Sequence, residues 1–417
     1  MSHLTIEGGK PLYGTYPVSG AKNSVLPILA ACLAVDGTCV LHNSPALSDV
    51  DAAADILKAE GAVVTRAGQD LTVDASAAAP AELREDLAHK MRSSVVFLGA
   101  MLARFHEAVL AFPGGCELGP RPIDLHLAGL RGLGADITEG YGLLNCRAPG
   151  GLTGADIALS FPSVGATENL MIAASLAKGV TTIRGAAREP EILELAAFLN
   201  AAGGVISGAG EDVITIHGVQ RLHGCEAVIG PDRIETATML SAVAAAGGRV
   251  LLKGAQPDRL SVVLPYFTAM GVRLTDTPQG LLAQRTGDLH APPFCRTMPY
   301  PGFPTDAMPP LMAAATVAKG TALFEENIFA CRYKQVPELC RMGADIQCSG
   351  RLCVVKGVTR LTGCPVTATD LRGGGALCVA ALCADGTTVI SDIHHIERGY
   401  EYFDDKLRGL GALVRKD

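Results

Sequence analysis

The sequence predicts an α/β protein of two domains, built from six repeated units of about 70 residues with three units in each domain. Three observations lead to this prediction. The chain of 417 residues is too long for one ordinary hydrophobic core. Hydrophobic residues make up 48% of it but aromatic residues only 5%, with no tryptophan, so the core must be built from closely packed small and aliphatic side chains. A short phrase also recurs six times along the chain.

The repeated phrase is a helical Leu or Phe, a glycine four residues later, and then aliphatic residues. A glycine in this place is typical of a helix C-terminus that leads into a strand. The six glycines are 68 to 73 residues apart: Gly61, Gly134, Gly203, Gly271, Gly343 and Gly411. A second phrase, an Ala-rich helix that ends in glycine before a strand, occurs at Gly37, Gly179, Gly320 and Gly386. Solenoid repeats of ~20 to 47 residues are shorter, so each unit is predicted to hold two helices and several short strands.

If three units form each domain, the chain divides after the third unit, near Gly230. The predicted domains are residues 22–230, which carry the loop with Cys116, and a discontinuous domain of residues 1–21 plus 231–417. Ligands often bind in clefts between domains, so we expect the site there.

Composition and charge exclude several classes of partner. The formal net charge is −7 and no run of Lys or Arg is present, which argues against nucleic acid. Thirteen cysteines without a CxxC pair predict a reducing compartment rather than a disulfide framework. The N-terminus lacks a signal pattern, and the apolar run 24–35 is shorter than the ~20 residues of a membrane span. We therefore expect a cytoplasmic protein that binds no membrane.

Residues 113–126 contain one thiol, Cys116, in a loop rich in glycine and proline, five residues before Arg121. Structural cysteines lie in apolar periodic runs, whereas reactive ones need partial exposure and a positive neighbourhood that favours the thiolate. The glycines also allow the backbone to approach a ligand closely. This pattern predicts a lid that carries a reactive cysteine.

Four other cations suggest an anionic ligand. Lys22 follows Gly20 and opens the first apolar helix, a place where helix amides and a positive charge can hold an anion. Arg332, Arg372 and Arg398 lie in three separate polar segments. Taken singly, each of these residues is more typical of a solvated or ion-paired side chain.

Several longer motifs, ordered along the whole chain, resemble those of the UDP-N-acetylglucosamine 1-carboxyvinyltransferases, also called enolpyruvyl-UDP-GlcNAc synthases. They are Ser19-Gly-Ala-Lys22-Asn23, Met91-Arg92-Ser93-Ser94, the 113–126 segment, Ser163-Val164-Gly165-Ala166-Thr167, Ala187-Arg188-Glu189-Pro190-Glu191-Ile192, Pro231-Asp232-Arg233-Ile234-Glu235, Phe303-Pro304-Thr305-Asp306 and Glu397-Arg398-Gly399-Tyr400. The resemblance implies an inside-out α/β barrel of two domains with three units each. It also implies transfer of the enolpyruvyl group of phosphoenolpyruvate to the 3′-hydroxyl of UDP-GlcNAc with release of phosphate, the first committed step of peptidoglycan synthesis. It implies no metal and no organic cofactor.

The resemblance also implies roles for single residues. Cys116 matches the general acid that forms a covalent adduct and reacts with the epoxide fosfomycin, and Asp306 matches the group that takes the proton of the sugar hydroxyl. The residues matched to phosphoenolpyruvate binding are Lys22, Asn23, Arg121, Arg332, Arg372 and Arg398, with Lys22 also counted as catalytic. Those matched to UDP-GlcNAc binding are Arg92, Arg121, Pro122, Ile123, Asp124, Leu125, Phe161, Ser163, Val164, Gly165, Asp306 and Ile328. Asp232 and Glu235 are expected to organise the cleft. A helix N-cap remains the alternative role for Asp306.

Three departures from the family pattern bear on these roles. Ala330 and Cys331 replace the usual Glu-Asn before Arg332, so a carboxylate that could orient this guanidinium is missing. Ser48 stands where some members have Lys. The run 373–375 is Gly-Gly-Gly where Ala or Ser is more usual, which predicts a looser turn.

Two alternatives stay open at this point. A related enolpyruvyl transfer to shikimate 3-phosphate shares the fold and the donor, but the cysteine loop and the Ser163-to-Thr167 segment argue against it. A non-catalytic paralogue that binds UDP-GlcNAc for regulation is suggested by Ala330 and Cys331. The sequence does not define the oligomeric state.

Overall fold

The structure is a computed structural model that describes residues 2–83, 87, 91–112 and 123–417. Cys116, Arg121 and Pro122, together with the side chain of Arg92, lie outside the described residues. The strands are β1 Leu4–Glu7, β2 Leu12–Pro17, β3 Val35–Asp36, β4 Thr38–His42, β5 Val63–Ala67, β6 Asp70–Asp74, β7 Glu82–Leu83, β8 Glu107–Ala111, β9 Asp136–Gly140, β10 Leu143–Arg147, β11 Asp156–Ala158, β12 Val180–Arg184, β13 Val205–Ser207, β14 Val213–His217, β15 Leu222–His223, β16 Glu226–Val228, β17 Gly248–Lys253, β18 Arg273–Thr277, β19 Gly280–Arg285, β20 Cys295–Arg296, β21 Thr321–Glu325, β22 Asp345–Ser349, β23 Leu352–Lys356, β24 Pro365–Thr367, β25 Thr387–Ser391 and β26 Leu413–Lys416.

Helices alternate with these strands. They are α1 Lys22–Ala34, α2 Ser48–Ala59, α3 Phe97–Phe105, α4 Asp124–Gly132, α5 Val164–Ser175, α6 Pro190–Ala201, α7 Arg233–Ala246, α8 Leu264–Ala269, α9 Met308–Ala315, α10 Val336–Arg341, α11 Leu371–Cys383, α12 His394–Glu397 and α13 Phe403–Gly409. Short 3₁₀ turns cover Arg92–Val96, Pro257–Leu260 and Thr305–Ala307.

Six four-stranded sheets in the described residues share one pattern. Their strand orders are β16-β4-β6-β5, β7-β8-β10-β9, β11-β12-β14-β13, β2-β17-β19-β18, β20-β21-β23-β22 and β24-β25-β1-β26. In each sheet the first pair is parallel and the next two are antiparallel. One arrangement repeated six times confirms the six-unit organisation predicted from the glycine spacing.

The described chain forms two compact units, residues 20–230 and residues 2–19 plus 231–417, each within its described part. Three of the sheets belong to each unit. The N-terminal strands β1 and β2 pair with β25 and β17 and therefore complete sheets of the second unit.

Each unit packs three apolar helices against one another: α1, α3 and α5 in one, and α7, α9 and α11 in the other. These helices are buried on nearly all sides, since 12 residues of α1 and 13 residues of α7 are buried. A helix that is apolar all round must lie inside a protein. The side chains are mostly Ala, Leu, Val and Met, which allows helix axes to approach closely.

The six repeat glycines all adopt the left-handed conformation, with φ between 85° and 97°. In each repeat a helix ends two residues before the glycine and a strand begins two residues after it. Because L-residues with a side chain avoid this region, the glycine fixes where each helix ends.

The second phrase also occurs six times, although the sequence analysis found only four copies. The missed copies are His106, with φ 63°, before β8, and Gly247, with φ 79°, before β17. His106 was missed because a non-glycine residue takes the left-handed position.

The predicted looser turn at residues 373–375 is wrong. These glycines lie inside α11. A Cβ atom on Gly374 would lie 2.6 Å from Ile396 Cγ1, and one on Gly375 would lie 2.6 Å from the Tyr400 hydroxyl oxygen. The glycines therefore let α11 pack closely against residues 396–400.

Cys348 and Cys353 face each other across the β22–β23 hairpin and form a disulfide, which the cysteine count did not predict. Ten further described cysteines are free. None of the helices in the described part of the chain is long and apolar enough to cross a bilayer.

Candidate active site

Each of the six central helices has a predicted residue of interest at or just before its N-terminal end. Lys22 is the first residue of α1, the Arg92–Val96 turn precedes α3, and Ser163 is the N-cap of α5. In the other unit, Asp232 caps α7, Asp306 lies in the 3₁₀ turn before α9, and Arg372 lies in the first turn of α11. Helix N-termini carry unsatisfied N–H groups and a partial positive charge, so both units direct anion-binding groups to these ends.

Asp306 holds two guanidinium groups in the second unit. Its Oδ1 accepts a hydrogen bond from Arg332 Nη2, and its Oδ2 lies 3.1 Å from Arg372 Nε. Both arginine side chains are almost fully buried, whereas 26% of the Asp306 side chain is exposed. The alternative role of Asp306 as a helix N-cap is not observed, because Pro304 and Ala307 occupy the cap positions.

Arg372 is fixed on several sides. Its backbone N–H and that of Gly373 donate to Asp370 Oδ1, and its guanidinium lies 5.5 Å from the centre of the Tyr400 ring. Burial disfavours the charge on Arg372, but the Asp306 carboxylate, Tyr400 and Asp232 together more than offset burial, and the pKa of Arg372 lies above its ordinary value. Its buried Nη1 has no hydrogen-bond partner among the described residues. A buried N–H group of a guanidinium that has no acceptor is suited to donate a hydrogen bond to an anionic ligand.

Arg332 is oriented without the glutamate that the family usually places two residues before it. Arg332 Nε donates to the Thr305 carbonyl at 3.2 Å, in addition to its bond with Asp306. Ala330 and Cys331 are exposed, so neither side chain holds the guanidinium.

A second carboxylate, Glu326, orders the loop that leads to Arg332. Its Oε1 accepts hydrogen bonds from the backbone N–H groups of Ile328 and Phe329 at 2.7 and 2.8 Å. Its Oε2 accepts the Thr305 hydroxyl at 2.9 Å. Glu326 is 1% exposed, so it joins Ile328 and the turn carrying Asp306 from within the unit.

In the first unit, the buried Lys22 ammonium lies 2.6 Å from Asp49 Oδ2, near the start of α2. Asn23 follows on α1 and is half-buried, and Ser48 beside Asp49 is exposed. A buried Lys beside a carboxylate is a charge held in place before any ligand binds.

The remaining predicted UDP-GlcNAc positions lie at helix starts or on exposed loops. Ile123 and Asp124 begin α4, with Leu125 behind them, and the Ser163 hydroxyl accepts from Ala166 N at 3.4 Å. Val164 and Gly165 form the first turn of α5, and Phe161 is exposed. Ile328 lies in the loop ordered by Glu326. Arg398 directly follows α12, two residues before Tyr400.

Asp232 and Glu235 have structural contacts within the second unit. Asp232 Oδ1 caps α7 by accepting from Ile234 N and Glu235 N. Glu235 is buried and accepts hydrogen bonds from the Tyr16 hydroxyl, Ser19 N and the Lys406 ammonium. Burial raises the pKa of Glu235 despite the nearby Lys406 charge.

The sequence analysis missed Asp49 and Glu326, and also Tyr400 as a partner of Arg372. The pairs Lys22 and Asp49, Arg372 and Tyr400, and Thr305 and Glu326 are each far apart in the sequence, so no short spacing could have indicated them. Only the acidic start of α2 gave a local signal, since carboxylates favour helix N-termini. In the described part of the chain, no group of three or more His, Cys, Asp or Glu could hold a metal ion.

Comparisons with known proteins agree with this architecture. The family model of EPSP synthase (3-phosphoshikimate 1-carboxyvinyltransferase) matches residues 6–407. The chain is 45% identical over 414 residues to UDP-N-acetylglucosamine 1-carboxyvinyltransferase 2 of Caldanaerobacter subterraneus, covering 99% of each chain. It is 46% identical over 419 residues to UDP-N-acetylglucosamine 1-carboxyvinyltransferase of Nitratidesulfovibrio vulgaris, covering 100% of each.

Two solved structures share the fold over the whole chain. The enolpyruvyl transferase NikO from Streptomyces tendae superposes with a TM-score of 0.89 at 27% identity, covering 100% of this chain and 99% of its own. EPSP synthase from Acinetobacter baumannii gives a TM-score of 0.78 at 19% identity and covers 100% of both chains, which shows the fold alone. The predicted fold class is therefore confirmed, and the chain belongs to the EPSP synthase family and, within it, to the UDP-N-acetylglucosamine 1-carboxyvinyltransferases.

Proposed function

We propose that this protein transfers the enolpyruvyl group of phosphoenolpyruvate to the 3′-hydroxyl of UDP-GlcNAc and releases phosphate, as the first committed step of peptidoglycan synthesis. The observation that carries the proposal is full-length identity of 45 to 46% to relatives that bear this activity in their names. Shikimate 3-phosphate is a weaker candidate for the acceptor, because the EPSP synthase structure shares only 19% identity with this chain.

Phosphoenolpyruvate carries a phosphate and a carboxylate, so its site needs cations and oriented donors. In the second unit two buried guanidinium groups bond to the same carboxylate, and Arg372 Nη1 has no partner among the described residues. These features support Arg332 and Arg372 as ligands of phosphoenolpyruvate. Arg398 is a further proposed ligand, and it lies two residues before Tyr400, whose ring lies against Arg372. Lys22 and Asn23, at the N-terminus of α1, are the proposed ligands from the first unit.

The reaction needs one proton acceptor and one proton donor. Attack of the sugar 3′-oxygen on the central carbon of phosphoenolpyruvate requires loss of the hydroxyl proton, and the methylene carbon must gain a proton. Asp306 is the proposed acceptor, because its carboxylate is fixed by two arginines and is partly exposed. Cys116 and Arg121 are the proposed donor and anion ligand on the lid. Loss of a methyl proton and of phosphate then restores the double bond.

The proposed residues for UDP-GlcNAc are those at the starts of the helices in the first unit, with Asp306 and Ile328 from the second. Backbone N–H groups at the start of α5 suit a diphosphate, since the Ser163-Val164-Gly165 segment presents a helix N-terminus. Gly165 has no side chain, and this lets the His126 ring lie against the first turn of α5.

The test is phosphate release by the purified protein, measured with phosphoenolpyruvate and either UDP-GlcNAc or shikimate 3-phosphate as acceptor. We expect turnover that requires UDP-GlcNAc and is absent with shikimate 3-phosphate. Turnover only with shikimate 3-phosphate would refute the acceptor assignment. Calorimetric binding of UDP-GlcNAc without turnover over a range of pH would instead support the regulatory paralogue.

Three further points belong to the proposal. We assign residues 22–230 and 1–21 plus 231–417 as the two domains, supported by the three sheets completed in each part. We propose a cytoplasmic location, because a catalytic thiol at Cys116 and ten free described cysteines, against one disulfide among the described residues, suit a reducing compartment. The substrates are small molecules, without nucleic acid or membrane as partners.

A further inference from the structure

Asn169 is a fully buried amide in the second turn of α5 and makes three hydrogen bonds to other elements. Its Oδ1 accepts the backbone N–H of Gly99, at the start of α3, at 2.7 Å. Its Nδ2 donates to the Val95 carbonyl at 3.0 Å and lies 3.1 Å from His126 Nδ1.

The three contacts determine the orientation of the amide and the tautomer of His126. A backbone N–H can only donate and a carbonyl can only accept, so Oδ1 must face Gly99 and Nδ2 must face Val95. The amide nitrogen then presents its second hydrogen to His126, whose Nδ1 must accept. A neutral imidazole that accepts at Nδ1 carries its proton on Nε2.

Three of the segments joined by Asn169 contain residues proposed for UDP-GlcNAc binding. Val95 belongs to the 3₁₀ turn that begins with Arg92, and His126 lies in the first turn of α4 with Asp124 and Leu125. Asn169 itself lies on α5, which begins with the Ser163-Val164-Gly165 segment.

His126 also lies against the start of α5. A Cβ atom on Gly165 would be 3.1 Å from His126 Cε1 and 3.3 Å from Nε2. The edge of the ring that carries the Nε2 proton therefore faces the first turn of α5. A ring fixed in this tautomer presents a donor beside the helix N-terminus proposed for the diphosphate.

We infer that Asn169 is a positioning residue for the nucleotide-sugar, which holds the Arg92 turn, α4 and the start of α5 in register and keeps His126 in the Nε2–H form. The inference rests on the proposed function for the identity of the ligand. Asn169 acts through the residues that it holds, since it is itself buried.

The test compares Asn169→Leu, which removes all three hydrogen bonds at similar volume, with Asn169→Asp, which retains only the acceptor for Gly99. Ser175→Ala is the matched control, because Ser175 is also buried on α5 but its hydroxyl donates to the Met171 carbonyl of its own helix. We expect Asn169→Leu to raise the KM for UDP-GlcNAc by roughly 10- to 100-fold, within the range for three lost buried hydrogen bonds. The KM for phosphoenolpyruvate should change by less than about threefold, and Asn169→Asp should lie between Asn169→Leu and the wild type.

The second readout is the tautomer of His126, measured by nitrogen chemical shifts of histidine-labelled protein and assigned with His126→Gln. We expect an unprotonated Nδ1 in the wild type and in Ser175→Ala, and a mixture of tautomers in Asn169→Leu. A wild-type spectrum with protonated Nδ1 overturns the inference, even if every variant fails to fold.

Calorimetry with UDP-GlcNAc distinguishes a failure of the positioning role of Asn169 from a failure of the proposed function. If the wild type binds UDP-GlcNAc and a folded Asn169→Leu binds it equally well, the inference is wrong and the proposed function stands. If the wild type binds no UDP-GlcNAc, the proposed function fails and so does the ligand named here, whatever tautomer His126 adopts.

Discussion

Replacing Asp306 by Asn tests both the ion-pair network and the proposed proton acceptor. In the wild type, the Asp306 carboxylate accepts a hydrogen bond from Arg332 Nη2 through one oxygen and from Arg372 Nε through the other. Asn offers only one acceptor oxygen, so its NH₂ group must face one of the two guanidinium groups. The variant therefore leaves neither buried guanidinium paired with an anion at this position, and only one of them can keep its hydrogen bond.

The expected loss of stability follows from the burial of the arginines. Removing one partner of a buried ion pair costs about 3 to 5 kcal/mol. Because 26% of the Asp306 side chain is exposed, the lower end applies, about 3 kcal/mol. For a unit of this size that corresponds to a decrease in Tm of roughly 6 to 12 °C.

The effect on catalysis is separate and larger. Loss of a positioned general base typically lowers the rate by about 10² to 10⁴. We expect kcat to fall by that factor for Asp306→Asn, measured by phosphate release at a temperature where the variant is folded. Asp385→Asn is the control, because Asp385 pairs with Arg360 at 3.2 Å on the surface of the same unit. It should leave both Tm and kcat unchanged.

The catalytic role and the stabilising role of Asp306 can each be refuted by one result. A folded Asp306→Asn with kcat within about tenfold of the wild type would exclude the proton-acceptor role. An unchanged Tm would show that the two buried arginines do not depend on this carboxylate for stability.

Three further predictions concern Glu326, Glu60 and Cys116. Glu326→Ala should raise the KM for UDP-GlcNAc by roughly tenfold, since three hydrogen bonds to the Asp306 turn and the Ile328 loop are lost. Glu326→Gln can retain these bonds and serves as the control. Equal steady-state kinetics for the two variants would contradict this prediction. Burial raises the pKa of Glu60 from its ordinary value to about 7, so folding stability should decrease as pH rises from about 4.5 to about 7, by up to about 3 kcal/mol. Urea unfolding at pH 5 and pH 8 should show that Glu60→Gln lacks this decrease, and parallel curves for variant and wild type would be inconsistent with it. Cys116→Ser should prevent the mass increase caused by fosfomycin, and continued alkylation at a single site would place the reactive thiol elsewhere.

Much of the fold could be predicted because its repeats are encoded locally. Each of the six glycines is required by the left-handed conformation at a helix end, and that requirement depends only on the backbone of its own unit. His106 shows the limit of this signal, since a residue with a side chain can take the same conformation at a cost that the sequence does not reveal. The run 373–375 shows another limit, because its glycines are explained by the distance to Ile396 and Tyr400.

The site could be predicted as a set of residues but not as a set of contacts. The family motifs pointed to Asp306, Arg332 and Arg372, and the structure places them in one hydrogen-bonded group. The same motifs suggested that Arg332 lacked an orienting carboxylate, whereas Asp306 supplies one from 26 residues away.

The sequence by itself therefore determined the six units, the helix ends and the chemical types of the candidate residues, because these depend on local backbone conformation and on ordered motifs. Tertiary structure alone decided which carboxylate holds which cation: Asp49 for Lys22, and Asp306 for both arginines. It also decided that the Asn169 amide bonds to His126, 43 residues earlier in the chain. Such pairings form between helix ends brought together by packing, where burial makes an unpaired polar group costly, and no local pattern records them.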